Sequence, residues 1–438
     1  MSHTSSVTVA GTSLEDAVGH LGPVPAEIGV YGMDGTSIGM DDSIFGKHVL
    51  FLGGVGQGKT EGMTSLVNSV RRAATADDVI VFFDTKGDWY ERFYRDGDAV
   101  IARASESEFN GQVTWNMFAE LAATPPGRSV EDEIHELAGT IFEGTAKSAG
   151  DNNRIWSNMG RDVFSGLVTA MWRQAQRIPD PAPTNRNIRM ITDRMTVAQM
   201  RKWLALHPDL QGAMSYIAKD DSNTTRSVMV FLQQALQESF RSSFGAAGDF
   251  SIREFLRGKG GRALFLEFDI ASGEALTPIY RTMIDLAIKE ALSRNRANGR
   301  VIFVLDEFAL LPELTHLSNG LNFGRSLGLR FIVGTQNIRQ VQDKYGEHMA
   351  ASILSGFGTV FAFRLFDGDS RDFVRGRFGA SRQLVRFDSA VRNKGLSEQL
   401  IDANVVEDWD LSSLSVGQCV AALPNTPPVR FRFAWPPR

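Results

Sequence analysis

The chain has 438 residues, is 43% hydrophobic and 22% charged, and carries a formal charge of −5, which suits a large core and more than one domain. The acidic balance excludes polyanion binding by the surface as a whole, so any nucleic-acid contact has to be local, on one face or in a ring lumen. A single cysteine, Cys419, excludes an internal disulfide and any zinc site built from several cysteines.

Residues 1–27 are small, polar and weakly patterned, and read as a lead-in with one short helix near Leu14–Leu21. Ile28–Tyr31 and Ser37–Met40 flank Met33-Asp34-Gly35 and predict a hairpin. The run His48-Val-Leu-Phe-Leu52 has strand length and enters Gly53-Gly54-Val55-Gly56-Gln57-Gly58-Lys59-Thr60. An amphipathic helix is expected from about Glu61 to Ala73. Strand, G-x-x-x-x-G-K-T and helix in this order are a P-loop. Its backbone N–H groups and the positive end of the following helix cradle phosphates. Lys59 reaches the outer phosphates and the Thr60 hydroxyl takes Mg²⁺. The chain is therefore read as binding a nucleoside triphosphate.

Val79–Asp84 is a continuous apolar run ending in a carboxylate, as in strands buried on both faces of a parallel sheet. Ala99–Ile101 predicts a third short strand. From 121 to 237 strand-like runs give way to helical spacing, with Ile155, Met159, Val163, Leu167 and Met171 forming one apolar face. This block reads as an all-α domain inserted into an α/β domain formed by 28–120 and 238–438. Strands return at Ala263–Phe268 and Val301–Leu305. A helix over about Leu314–Leu327 leads to a strand at Arg330–Gln336, with later strands at Gly358–Arg364, Gln418–Ala422 and Val429–Phe433.

Asp306 and Glu307 end an apolar strand and supply the carboxylates a P-loop ATPase needs: Asp306 for the Mg²⁺ shell, Glu307 to orient and deprotonate water. Gln336 ends the next strand and suits a γ-phosphate sensor, or else is an amide in a turn. Arg325 reads equally as a solvated arginine or as one that stabilises transition-state charge in a neighbouring subunit. Asp84, Lys86 and Asp88 form a second polar cluster, fit to tune water or metal or simply to pair with each other. Seven arginines between Arg364 and Arg392, interleaved with Phe373, Phe378 and Phe387, suit either a nucleic-acid backbone or a subunit-contact face.

The order of these motifs, including Asp84-Thr-Lys86-Gly87-Asp88, Asn153-Arg-Ile-Trp156, Leu305-Asp306-Glu307-Phe308, Gly324-Arg325 and Gly334-Thr335-Gln336, resembles the type IV secretion coupling proteins. These are the TraD- and TrwB-like conjugation ATPases of the FtsK/HerA group of RecA-like motors. The resemblance implies a RecA-like P-loop fold with a mostly parallel sheet and an inserted all-α domain. It also implies a hexameric ring that hydrolyses ATP with Mg²⁺ and feeds DNA, a relaxase–DNA complex or an effector toward a secretion channel. Arg325 falls where the family's trans-acting arginine lies, and Gln336 at its sensor position. The helical insertion would receive relaxase or effector substrates. Thr85 stands where the family usually has proline. Membrane helices usual in the family have no counterpart here: either a membrane-embedded partner supplies the anchor to a cytoplasmic chain, or the chain is a soluble variant or a trimmed form. A HerA-like double-stranded DNA pump, and a nucleotide-gated receptor with weak ATPase activity, are the alternatives.

Overall fold

The computed structural model describes residues 4–104, 108–148, 153–270, 276–293, 299–311, 313–387 and 397–434. The chain forms two compact units, one of Met1–Thr75, Ile302–Leu310 and Ser318–Arg438, the other of Ala76–Val301 and Leu311–Leu317.

The first unit opens with β1 (Thr4–Ala10), β2 (Glu15–Asp16), β3 (His20–Leu21), β4 (Ile28–Tyr31) and β5 (Ser37–Met40). Two expectations fail here. The opening segment is not a loose lead-in, and Leu14–Leu21 is not a helix. Gly19 and Gly22 hold positive φ of 64° and 90° on either side of His20-Leu21, which stops a helix and lets β3 pair with β5. β4 and β5 form the expected antiparallel pair. Asp41 caps the short α1 (Asp42–Phe45). Four apolar residues, all buried, make β6 (Val49–Leu52), which feeds α2 (Lys59–Ala73) through the glycine-rich turn.

The second unit begins with β7 (Val79–Asp84), α3 (Asp88–Phe93) and β8 (Ala99–Ile101). The elements described from 117 to 258 are all helical: α4 (Met117–Ala122), α5 (Val130–Ser148), α6 (Arg154–Arg177), α7 (Asn185–Asp193), α8 (Val197–Ala205), α9 (Gln211–Ser215), α10 (Asn223–Ser239) and α11 (Ile252–Gly258). On α6 the expected stripe is buried at Val163 and Leu167, whereas Ile155 at its start is exposed. β9 (Arg262–Glu267) and α12 (Thr277–Ala291) follow. β7, β9 and β8 lie side by side and parallel, with Asp84 directly opposite Glu267. Buried charges tie the helices together. Arg253 on α11 pairs with Glu133 on α5, and Lys289 on α12 reaches the same carboxylate at 2.9 Å. Glu120, fully buried, accepts from the Trp115 indole at 2.9 Å and the Ser251 hydroxyl at 3.0 Å. A buried carboxylate left without such partners would destabilise the fold by several kcal/mol.

The remainder comprises β10 (Val301–Leu305), α13 (Leu317–Phe323), β11 (Leu329–Thr335), α14 (Arg339–Tyr345), α15 (Glu347–Ser355), β12 (Thr359–Ala362) and α16 (Gly368–Phe378), then β13 (Ala380–Phe387), β14 (Ser397–Asn404), α17 (Asp408–Ser412), β15 (Gln418–Ala422) and β16 (Val429–Arg432). In the first unit the strand order is β2-β16-β15-β12-β6-β11-β10. β12, β6 and β11 run parallel, while β15 and β16 are antiparallel additions at one side. β13 and β14 were not anticipated. They form a hairpin to which β1 adds an antiparallel strand.

Candidate nucleotide site at the glycine-rich turn

β6 stops at Leu52, and residues 53–58 turn back to start α2. Gly58, the residue before the helix, sits at φ 94°, a conformation that would strain any residue with a Cβ. Because the cap is a glycine, no side chain covers the first turn of α2. Among the described residues, the N–H groups of Val55, Gly56, Gly58 and Thr60 donate to nothing in the protein. Unspent donors at the positive end of a fifteen-residue helix form an anion cradle.

Lys59 is buried, with 8% of its surface exposed. Its Nζ lies 3.8 Å from Oε2 of Glu307, which follows β10. The same oxygen accepts a 2.8 Å hydrogen bond from Nε2 of Gln336, which follows β11. Oε1 of Glu307 is buried and accepts no hydrogen bond among the described residues. Asp306 is buried beside it. The register between β6 and β11, Gly334 opposite Phe51 and Thr335 opposite Leu52, brings their carboxyl ends level. Gly334 makes the close approach possible: a Cβ there would sit 2.2 Å from the Asp306 carbonyl oxygen and 2.8 Å from Met63 Sδ. Lys59, Glu307 and Gln336 thus meet at one edge of the sheet, with Thr60 and Asp306 as their immediate chain neighbours.

Three further features of this edge have no motif to announce them. Lys344 on α14 donates to the Ala309 carbonyl oxygen, and Tyr345 stacks on Phe308 at 5.8 Å. Together they clamp the turn after Glu307 to the helix that follows Gln336. Burial pushes the Lys344 ammonium down to about 8, an effect that the Glu307 charge partly opposes. Phe366 is 61% exposed, packs where a Gly54 side chain would go, and lies 5.3 Å from the Arg364 guanidinium.

Arg325 lies elsewhere. It precedes β11, whereas Gln336 follows it, and a seven-residue strand spans about 20 Å. Its guanidinium passes close to Gly46, ahead of β6, and is exposed. The positive field of Arg330 and Arg325 also reaches His48, whose pKa is lowered to about 4, chiefly by burial. His48 Nδ1 accepts from the Phe331 N–H at 3.2 Å, so its proton sits on Nε2 and is donated to the Leu321 carbonyl at 3.0 Å.

In the second unit, Asp84 spends both carboxylate oxygens on its own loop. Oδ1 accepts from the N–H groups of Lys86 and Gly87, and Oδ2 from those of Trp89 and Tyr90, at 2.8–3.1 Å. Its neighbour Glu267 is pushed up to about 9 by burial and then by the Asp84 charge, so it carries a proton at neutral pH. Lys86 is exposed, and Asp88 opens α3. The arginine-rich segment is largely committed within the chain. Arg375 pairs with Asp408 and Asp372, Arg377 donates to the Phe357 carbonyl, and Arg382 pairs with Asp402 on β14. Arg392 lies outside the described residues.

The type IV secretion-system coupling protein DNA-binding domain model matches residues 35–393. The chain belongs to this family. It is 25% identical over 395 residues to the coupling protein TraD of Escherichia coli K12, a match that covers 86% of this chain and 51% of TraD. The chain therefore spans about half the length of that coupling protein. Conjugative coupling protein TrwBdeltaN70 superposes with a TM-score of 0.72 at 21% identity, over 95% of this chain and 90% of that one. TrwB in complex with ADP and Mg²⁺ gives 0.70 at 20% identity, over 98% and 95%. These likenesses establish the fold of a coupling protein: a RecA-like P-loop NTPase with a mostly parallel sheet and an all-α portion. Among the described residues no helix is long and apolar enough to cross a membrane.

Proposed function

We propose that this chain is the ATP-hydrolysing motor of a conjugative type IV coupling protein, working as a ring of six copies that moves DNA or a nucleoprotein toward a secretion channel. The Glu307 carboxylate carries the reading, held by Lys59 and Gln336 at the strand ends beside the glycine-rich turn. The solved TrwB complex with ADP and Mg²⁺ supports ATP and Mg²⁺ as the ligands of this site. Residues 28–120 and 238–438 form the nucleotide-binding domain, to which β1, β2 and β3 of the opening segment add strands, and 121–237 the inserted all-α domain that receives relaxase or effector substrates. The chain works in the cytoplasm at the inner face of the membrane, held there by an embedded partner.

The phosphates of ATP dock on the N–H groups of Val55, Gly56, Gly58 and Thr60, and Lys59 turns from Glu307 to the outer phosphates. The residues present fit a magnesium ion: the Thr60 hydroxyl and the Asp306 carboxylate would hold it. When bound, Mg²⁺ neutralises phosphate charge and so eases attack on the γ-phosphorus. Oε1 of Glu307, which accepts no hydrogen bond, receives the proton of the attacking water. Gln336 fixes the other oxygen, so loss of the γ-phosphate alters a hydrogen bond tied directly to β11 and, through Lys344, to α14. Arg325, at the opposite end of β11 from Gln336, serves a neighbour's site instead of its own. Asp84, Lys86 and Asp88 shape their own loop, leaving Lys86 exposed for phosphate or DNA.

The test is ATP turnover with and without DNA, in rings that mix wild type with Arg325→Ala. DNA should stimulate turnover, and activity should fall faster than the fraction of variant. Turnover indifferent to DNA, or a linear average across mixtures, would sink the motor reading.

A further inference from the structure

The helical part of the second unit carries a groove that the nucleotide chemistry does not use. It has a volume of about 390 Å³ and lies between the end of α6, the proline loop and helices α7 and α8. Its wall on α6 is Met171, Gln174 and Ala175, spaced i, i+3 and i+4 on one helix face, and Ile178, the residue that ends the helix, continues the lining. Pro181 and Pro183 of the loop after α6 line it too. Met190, Met195 and Trp203 also line it. Ile178 is 59% exposed and Met190 39%, so the apolar lips stand open to solvent. Methionine side chains are unbranched and polarisable and re-pack around differently shaped apolar anchors.

The rim is cationic. Arg177, Arg186, Arg194 and Lys202 are exposed, and each lines the groove or adjoins a lining residue in sequence. None of the four has an ion pair or side-chain hydrogen bond among the described residues. Nearby carboxylates are fewer: Asp193 is spent on Arg189 at 3.4 Å, which leaves Asp180. Charge of this kind round an apolar slot selects against basic segments and for acidic ones. A nucleic-acid backbone would match the cations, but it has no large apolar side chain to seat among three methionines.

We propose that this groove is the docking site for an amphipathic segment of a protein substrate that presents one or two large apolar side chains flanked by carboxylates. The proposal rests on the reading of the all-α domain as substrate receptor, and names the chemistry it reads. The segment lays its apolar residues against Met171, Met190 and Met195 in the helix-in-groove manner, while its carboxylates meet Arg194 and Lys202.

The test uses the full chain labelled with ¹³C at the methionine methyls. The probe is a synthetic sixteen-residue helix with leucine and phenylalanine on one face and glutamate on the other. The acidic probe should shift the Met171, Met190 and Met195 signals saturably, in the 10–100 μM range typical of a single shallow docking element. A twin with lysine for glutamate should bind at least tenfold more weakly. The exposed double variant Arg194→Glu with Lys202→Glu should lose the acidic probe while keeping its thermal midpoint and nucleotide turnover. Equal binding of both probes, unshifted groove methyls at millimolar peptide, or a double variant that binds as wild type would each overturn the proposal. None of those results touches the motor reading, which the mixed-ring experiment decides separately.

Discussion

Two strand ends in this molecule look alike on paper. Each is a buried apolar strand running into a carboxylate: β10 into Asp306-Glu307, and β7 into Asp84 with Glu267 beside it on β9. At the first, Glu307 keeps one oxygen without a hydrogen bond and faces a lysine and an amide from other strands. At the second, four backbone N–H groups of the following loop consume Asp84, and Glu267 is forced to hold a proton. A carboxylate is available for chemistry when its own loop leaves it unsatisfied, and structural when that loop turns its donors inward.

The contrast is broken most severely at Glu307. Glu307→Gln should lower ATP turnover about 10²–10³-fold while leaving ATP binding within a few-fold, read by steady-state turnover and by titration calorimetry. Thermal unfolding should hardly change. Asp84→Asn should do the reverse. Its amide nitrogen cannot accept, so about half the loop donors lose their partner, with a cost of about 1–3 kcal/mol in thermal or urea unfolding. Nucleotide turnover should stay within about threefold of wild type at a temperature where both are folded.

Glu267 sharpens the comparison through pH. Its pKa in the folded chain, about 9, lies above the ordinary 4.5, so folding takes up a proton throughout that window. Its contribution is full below about pH 4.5 and is lost as pH rises toward 9. Glu267→Gln should therefore raise the melting midpoint at pH 8 by several degrees and give no gain near pH 4.5. His48 should show a smaller effect of opposite sign. Its pKa is lowered from 6.5 to about 4, so the stability it lends is present above pH 6.5 and fades as pH falls through 4. His48→Gln should flatten that acid limb in a pH series of melting curves.

The P-loop, the β7 and β10 strands and the helical block were legible because each is written in a short contiguous pattern of apolar spacing and glycine. The meeting of Lys59, Glu307 and Gln336 was inferable because parallel strands deliver their carboxyl ends to one edge. The three-stranded sheet of β1, β13 and β14 was not. β1 finds its partner some 370 residues away, and nothing local in Thr4–Ala10 names that partner. The partners of the arginines after Arg364 were hidden for a related reason: their acids, Asp402 and Asp408, come from later elements. Lys344 was invisible because its role depends on how α14 lies against the 308–310 turn. Whether Asp84 was free or spent turned on loop torsions that composition does not encode.

Gly334 offers a way to switch this edge off without removing a single reactive group. One added carbon would be driven into the Asp306 main chain and would wedge β11 away from β10. Lysine, threonine, both acids and the glutamine would all remain, slightly out of reach of one another. A protein bearing Gly334→Ala would be an engine with every part fitted and the timing wrong.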